Sequence, residues 1–161
     1  MTVSVAFRRD SDEEHREPRF EIPIPAGPNF VTANGLKNIQ ARISELEQRV
    51  SGETDALRLA EAQRDLRYWR TRLATAQLAP PPAPGQVGIG SHVRFRLRGE
   101  RREMHIVGHD EAEPASNRIA FSSPLGRVLM GSEAGDLLGF GGDPDVLEIV
   151  EIQEAKPFQP V

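Results

Sequence analysis

Two carboxylates, Glu53 and Asp55, stand two residues apart in the segment VSGETDAL, where a helical pattern is interrupted. Carboxylate oxygens are the ligands that Mg²⁺ prefers, so an exposed acidic turn here could help to hold that ion. Acidic residues near the start of a helix also complement its dipole, which gives a purely structural alternative. In either case the two acids are candidates for the tip of a helical hairpin.

A second group of polar residues comprises His105, His109, Asp110 and Glu111. The H-x-x-x-H spacing places two metal ligands on one face only in a helix. Here it falls on an alternating strand pattern and its turn, where the side chains diverge. The segment GFGGDPD precedes a strand instead of a helix, so it indicates a hairpin turn and not a dinucleotide loop. We therefore expect no metal site and no catalytic residue.

Arginines recur in two patterned sets that could contact acidic surfaces or nucleic acid. One set alternates with apolar residues in HVRFRLRG and the other recurs every third residue of a helical segment; the members are Arg94, Arg96 and Arg98, and Arg64, Arg67 and Arg70. Arginines on a helix can approach RNA phosphates, whereas both sets could also be ordinary solvated faces. The net charge of −4 does not favour duplex DNA as a partner.

Composition excludes several classes of protein. The sequence has no cysteine, so disulfides, thiolate metal sites and cysteine nucleophiles are ruled out. No apolar run approaches the roughly 20 residues of a membrane span, and the N-terminus lacks the apolar region of a signal peptide. We expect a soluble, cytoplasmic protein without a membrane partner or a small-molecule substrate.

The elements that position these residues begin with two heptad stripes. Thr32 is placed as an N-cap, and the stripes are Leu36, Ile39, Ile43, Leu46 and Val50, then Leu59, Ala62, Leu66, Trp69, Leu73 and Ala76. Apolar spacings of three and four separated by Ser51-Gly52 predict an antiparallel helical hairpin, a short coiled coil, over residues 30–78. The helices would be roughly 27 and 36 Å long, the second running on towards the next domain.

The hairpin is followed by a change of period. The segment 79–85, APPPAPG, predicts a stiff linker. Alternation in HVRFRLRG, EMHIVG, NRIAFSS and VLEIVEIQ predicts a small antiparallel sheet over 86–153, and SSPLGRVL predicts one short helix that covers it through Leu125, Val128 and Leu129. The charged, proline-containing residues 1–29 are predicted to be a mobile tail, with 154–161 as a second tail. The fold class is α+β.

Several motifs together resemble one family. The segments GSHVRFRL, IVGHDEAEPASNRIAFSSPLGRVLMGSEAGD and LEIVEI resemble the C-terminal part of the GreA/GreB transcript-cleavage factors, and NFVTANGLKNIQARISELEQRV resembles the start of their coiled-coil hairpin. The resemblance implies an FKBP-like C-terminal domain that docks on bacterial RNA polymerase at the rim of its secondary channel. The residues that carry the matching motif become docking candidates: Ser123, Pro124, Leu125, Arg127, Gly131, Gly135 and Asp136.

The resemblance also implies a hairpin that projects towards the polymerase catalytic centre, near the nascent RNA. Cleavage-competent members carry a Gly-Asp-x-x-Glu-Asn tip whose carboxylates help the polymerase to hold its second Mg²⁺. This sequence lacks that tip, and a hairpin about 20 residues shorter would lose about 15 Å of reach. We expect an elongation factor that is not itself an enzyme, needs no cofactor and has weak or no cleavage stimulation, with any contact to the polymerase Mg²⁺ being indirect.

Two alternatives remain at the level of sequence. Regulators of nucleoside diphosphate kinase share a Gre-like C-terminal domain and a shortened hairpin, so a kinase could be a partner. A peptidyl-prolyl isomerase is suggested by the FKBP-like fold alone, and fold does not carry function. Residues 86–152 contain only Phe95, Phe121 and Phe140 as candidates for the aromatic pocket that such an isomerase requires.

Overall fold

The computed structural model describes residues 20–154 and contains a helical hairpin and a small sheet domain. Helix α1 spans Ala33–Gly52 and helix α2 spans Ala56–Thr75. Thr32 is the N-cap of α1, as predicted, and its side chain accepts a hydrogen bond from the Gly35 N–H. Each helix has 20 residues, so each arm is about 30 Å long.

The predicted heptad stripes form the core of the hairpin. Ile39, Ile43 and Leu46 of α1 are buried against Leu66 of α2, and further stripe residues, including Leu36, Val50, Trp69, Leu73 and Ala76, are partly buried around them. Apolar residues at three- and four-residue spacings lie on one face of a helix, so two such stripes bury each other when the chain reverses. The hairpin is therefore confirmed.

The base of the hairpin differs from the prediction. Helix α2 ends at Thr75 and does not run on, because Ala76 turns extended and leads into strand β2, Gln77–Leu78. This strand pairs in parallel with β1, Phe30–Val31, directly before α1. A two-stranded ladder thus closes the open end of the hairpin.

The second part of the chain is a five-stranded sheet. Its strands are β3 (His92–Leu97), β4 (Glu100–Val107), β5 (Arg118–Ala120), β6 (Leu137–Phe140) and β7 (Asp143–Gln153), in the order β5-β4-β3-β7-β6. Three of its four pairings are antiparallel, but β4 and β5 are parallel. The expectation of a wholly antiparallel sheet is corrected there: a ten-residue connection containing two 3₁₀ turns carries the chain back to start β5 in the same direction as β4.

The predicted short helix is α3, Pro124–Leu129, with Ser123 as its N-cap. Leu129 is fully buried, and Leu125 and Val128 pack against the same core, which contains Val93 and Phe95 of β3. The helix covers the apolar face of the sheet because its residues at i, i+3 and i+4 share one face. The α+β class, with a hairpin, a largely antiparallel sheet and one short helix, is confirmed.

The two predicted tails can be compared with the structure only in part. Most of the predicted N-terminal tail and residues 155–161 of the C-terminal one lie outside the described residues. Asn29, however, which was assigned to the mobile tail, has a buried side chain held by Arg72. The expectation of a tail up to residue 29 is wrong at that position, because the residue beside β1 is part of the hairpin base.

Candidate functional site: the hairpin tip and its joint

The tip of the hairpin places Glu53 and Asp55 between the two helices. Glu53 follows the last residue of α1 and its backbone N–H donates to the Arg49 carbonyl, at 3.0 Å. Its carboxylate accepts hydrogen bonds from the backbone N–H groups of Thr54 and Asp55, both at 3.0 Å. Asp55 is the N-cap of α2 and accepts from the Arg58 N–H at 2.9 Å.

Both tip acids therefore satisfy backbone donors that the turn leaves without helical partners. A carboxylate engaged in capping has less freedom to reorient towards an external cation. Among residues 20–154, no group of three or more histidine, aspartate or glutamate side chains is arranged to hold a metal ion. The arrangement at the tip is that of a capped turn.

A buried polar network joins the hairpin to the sheet domain. Arg72, in the last turn of α2, forms an ion pair with Asp110, which follows β4, at 2.6 Å from Nε to Oδ2. The two side chains are 3% and 5% exposed, so the pair is removed from water. Arg72 also donates to the Asn29 side chain at 2.6 Å, and the Asn29 amide donates to the Arg72 carbonyl at 2.8 Å.

The same network includes Tyr68, one turn before Arg72. Its hydroxyl donates to the Oδ1 atom of Asp110, so both oxygens of that carboxylate are occupied from α2. Burial, and then the hydrogen bond to Asp110, raises the pKa of Tyr68 to about 12. The phenol therefore stays protonated as a donor throughout the physiological range.

Glu111 provides the matching contact to α1. Its carboxylate accepts from the Thr32 hydroxyl and from the backbone N–H groups of Thr32 and Gly108, the latter two at 3.1 and 3.2 Å. Gly35 lies beneath this carboxylate so closely that a Cβ at position 35 would overlap it. A negative charge at the N-terminus of α1 also complements the helix dipole.

We call the group Asn29, Thr32, Tyr68, Arg72, Asp110 and Glu111 the joint. It clamps the first turn of α1 and the last turns of α2 to one 3₁₀ turn of the sheet domain, His109–Glu111. An edge-to-face contact between Phe30 and Phe121, with ring centroids 5.9 Å apart, adds an apolar contact beside it. Because both arms are held, the direction in which the hairpin projects is fixed.

The predicted helical arginines lie on the hairpin and each has a carboxylate partner. Arg64 pairs with Asp65, Arg67 with Glu21 and Arg70 with Glu47 of the opposite helix, at 2.8, 2.6 and 2.8 Å. The side chain of Arg67 is exposed, and its hydrogen bond lowers the pKa of Glu21. Arg67 and Arg70 are thus exposed and Arg64 is half-buried, and all three are ion-paired.

The predicted strand arginines lie on the sheet domain. Arg94 pairs with Glu151 at 2.8 Å, Arg96 with Glu148 at 3.5 Å, and Arg98 with Asp143 at 2.8 Å. Arg94 and Arg96 project from the face opposite α3, whereas Arg98 lies in the turn after β3. The first two therefore share a surface that Arg98 does not.

The predicted docking residues lie around α3 and the turn after it. Pro124, Arg127, Gly131 and Gly135 are exposed and available to a partner. The others are structural: the Ser123 hydroxyl caps α3, Leu125 packs on the core, and Asp136 accepts from the Glu133 N–H at 2.8 Å. Gly131 and Gly135 have φ of +75° and +93°, which explains why glycine stands at both positions.

His105 and His109 have different surroundings in the structure. His105 stacks on His92, with ring centroids 4.4 Å apart, while His109 begins the 3₁₀ turn of the joint. Burial, and then repulsion from His92, lowers the pKa of His105. The divergence expected from a strand and its turn is what the structure contains.

Sequence reasoning missed the joint. The spacing offers Asp110 and Glu111 only as metal ligands, and no local pattern singles out Arg72 or Tyr68 as a partner for them. One signal is available: Asp110 and Glu111 follow shortly after Val107, the buried last residue of β4, where paired acids need a partner if they stay near the core. The identity of that partner, 38 residues earlier in the chain, could not be read from any local pattern.

The fold and the joint together define a class of protein, one in which a helical rod is held in a fixed direction by a small sheet domain. Residues 81–156 match the family model described as "Transcription elongation factor, GreA/GreB, C-term". Among curated proteins, the chain is 35% identical over 86 residues to transcription elongation factor GreA of Thermomicrobium roseum, covering 50% of this chain and 55% of that one. It is also 35% identical over 106 residues to GreB of Neisseria meningitidis serogroup A, covering 62% and 64%.

The chain is thus similar to the C-terminal part of the GreA/GreB factors over residues 81–156, and it spans only 55% and 64% of the lengths of these two relatives. Two solved structures are similar at lower identity. They are Gfh1 of Thermus thermophilus, 21% identical with a TM-score of 0.38, and a GreA/GreB factor of Nitrosomonas europaea, 22% identical with a TM-score of 0.37. Each alignment covers 79% of this chain, and 99% and 98% of the other. No helix within residues 20–154 is long and apolar enough to span a membrane.

Proposed function

We propose that this chain is a transcription elongation factor of the GreA/GreB type. In this proposal it binds bacterial RNA polymerase at the secondary channel, inserts its hairpin and modulates elongation. The match of residues 81–156 to the family model supports the proposal, since the similar curated proteins are named as transcription elongation factors. The chain itself carries out no chemistry, and any RNA cleavage belongs to the polymerase.

The joint is the observation that carries the proposal. A rod that enters a narrow channel should project from its domain in one fixed direction, because a hinged rod would lose conformational entropy on entry. Arg72 and Glu111 hold the two arms at the sheet domain through buried contacts. Insertion of the preorganised hairpin into the channel therefore costs less conformational entropy than insertion of a hinged one.

The tip supports weak or absent stimulation of transcript cleavage. Mg²⁺ bound by protein usually takes one or two carboxylates with near-ideal octahedral geometry. Glu53 and Asp55 are both engaged with backbone N–H groups of the turn. Each arm is about 30 Å long, and the chain reverses between Gly52 and Ala56. The hairpin therefore has no additional helical turn beyond this tip that could extend its reach.

The sheet domain would provide the docking surface through α3. Pro124 is exposed at the start of this helix and Arg127 in its last turn, and the core behind them holds the helix in place. Reversal of charge in Arg127→Glu is expected to weaken polymerase binding with little effect on folding. Nascent RNA contacts by Arg64, Arg67 or Arg70 would require their present carboxylate partners to be displaced.

The test uses the purified chain and core polymerase stalled in a backtracked complex. We expect binding on native gels with no more than a few-fold increase in cleavage rate, and no change in Glu53→Ala or Asp55→Ala. Glu45→Ala, an exposed acid on the shaft of α1, is the matched control. Strong cleavage that the tip variants abolish and the control retains would overturn the non-cleaving proposal, and absence of binding would overturn the function itself.

A further inference from the structure

The outer face of the sheet, opposite α3, carries an open groove of about 860 Å³. Three arginines project from this face into the groove, Arg94, Arg96 and Arg101, with two glutamates, Glu103 and Glu151. These side chains carry three positive charges against two negative ones, in a chain whose net charge is −4. We call this surface the arginine groove.

Two of its arginines are placed against each other. Arg96 of β3 is the direct cross-strand partner of Arg101 of β4. Like charges directly opposite on neighbouring strands destabilise a sheet, so this pairing is a cost to the folded protein. Arg96 reaches Glu148 only at 3.5 Å, and within residues 20–154 the Arg101 guanidinium has no ion pair or hydrogen bond.

A β-bulge supplies the apolar part of the groove. The register between β3 and β7 shifts so that Arg94 faces Glu151 and Phe95 faces Ile149, which leaves Val150 as the extra residue. Bulges redirect side chains, and Val150 is 49% exposed in the groove. One exposed apolar side chain therefore lies among the arginines.

We propose that the arginine groove binds an acidic peptide segment of a protein partner, with an apolar side chain seated on Val150 between carboxylates. Carboxylates pair with guanidinium groups through two parallel hydrogen bonds, and no group in the described part of the chain occupies the donors of Arg101. A nucleic-acid backbone fits less well, because its closely spaced phosphates would meet Glu103 and Glu151. A peptide can place carboxylates only where the arginines lie.

This groove is separate from the surface assigned to polymerase docking. Helix α3 covers the opposite face of the sheet through Leu125 and Leu129, so both surfaces can be occupied together. The proposal does not depend on the proposed function. Loss of polymerase binding in Arg127→Glu and loss of peptide binding in an Arg101 variant would be independent results.

The test measures fluorescence anisotropy of a labelled peptide, EELDELEE, with the full chain at low salt. We expect saturable binding, about tenfold weaker in Arg101→Glu and in Arg96→Glu. Arg42→Glu, an equal charge change on the exposed face of α1, is the matched control and is expected to bind as the parent does. Val150→Ser should weaken binding about threefold, and this loss should persist when salt is raised.

Three results would overturn the proposal. The first is no binding of the peptide at low salt by a folded parent chain. The second is equal weakening in Arg42→Glu and Arg101→Glu, which would reduce the effect to overall charge. The third is tighter binding of a single-stranded oligonucleotide than of the peptide, lost in the same variants, which would assign the groove to nucleic acid. Circular dichroism of each variant checks that the sheet is intact.

Discussion

Arg72 of α2 and Asp110 of the sheet domain form an ion pair at 2.6 Å in which neither side chain is more than 5% exposed. The pair links segments 38 residues apart, and both partners make further hydrogen bonds, to Asn29 and from Tyr68. A buried pair of this kind contributes little net stability compared with an apolar replacement, but it is costly to break. In this protein the ion pair fixes the direction of one arm of the hairpin.

The first prediction concerns the removal of one partner. Asp110→Ala leaves the Arg72 guanidinium buried without its counter-charge, so we expect a loss of about 3 kcal/mol in the free energy of unfolding. Glu47→Ala, which breaks the exposed pair with Arg70, should cost no more than about 1 kcal/mol. Urea denaturation measures both. Equal losses in the two variants would show that the joint pair is not buried in solution.

The second prediction tests the close contact between the Glu111 carboxylate and Gly35 in the first turn of α1. Gly35→Ala should destabilise the protein, because the new Cβ overlaps a carboxylate that is already held by Thr32 and Gly108. Gly52→Ala, in the last turn of the same helix with nothing within 4 Å, is the control and should be neutral or slightly stabilising.

A double-mutant cycle isolates this contact. In a Glu111→Ala background, the additional cost of Gly35→Ala should shrink to near zero, because the obstructing side chain is gone. An undiminished cost in that background would mean that the strain at position 35 has another source.

The third prediction uses Tyr68, the single tyrosine of the chain. Its phenol should ionise at about pH 12 in the folded protein, against 10.0 ordinarily, as followed by absorbance at 295 nm. Since the folded pKa is raised, the associated stability is fully present below pH 10 and is lost as pH rises from 10 towards 12. Asp110→Asn should move the titration part of the way back. A titration at the ordinary value in the parent would contradict the buried hydrogen bond.

The fourth prediction concerns His105, whose pKa is lowered by burial and by His92. The folded state favours the neutral ring, so this contribution to stability is present above pH 6.5 and is lost as pH falls below that value. Urea unfolding between pH 7.5 and 5.5 should show the decline, and His105→Gln should reduce it. If His105→Gln leaves the pH dependence unchanged, the stacked pair does not titrate as described.

Local periodicity was sufficient to predict much of the fold. The heptad stripes around Ile39 and Leu66, the alternation around Phe95 and the cap at Ser123 all depend on neighbours within one element. The parallel pairing of β4 with β5, the end of α2 at Thr75 and the bulge at Val150 depend on distant segments. No period in the sequence encodes them.

The candidate site divides in the same way. Glu53 and Asp55 were placed at the tip from the break between two helical patterns, and the structure has them there as caps. The contact of Glu111 with Thr32 spans 79 residues and needs the complete fold before it exists. Charged residues near the end of a buried strand were the only local sign of it.

We propose that the joint directs this hairpin into the polymerase channel, and a structure of the chain bound to core RNA polymerase tests this proposal most directly. The distance to measure joins the Cα atom of Gly52 to the catalytic Mg²⁺. We predict a hairpin inside the channel, with the joint intact and the tip stopping about 15 Å short of the metal. A hairpin lying outside the channel, or a tip carboxylate in contact with the metal, would contradict the account.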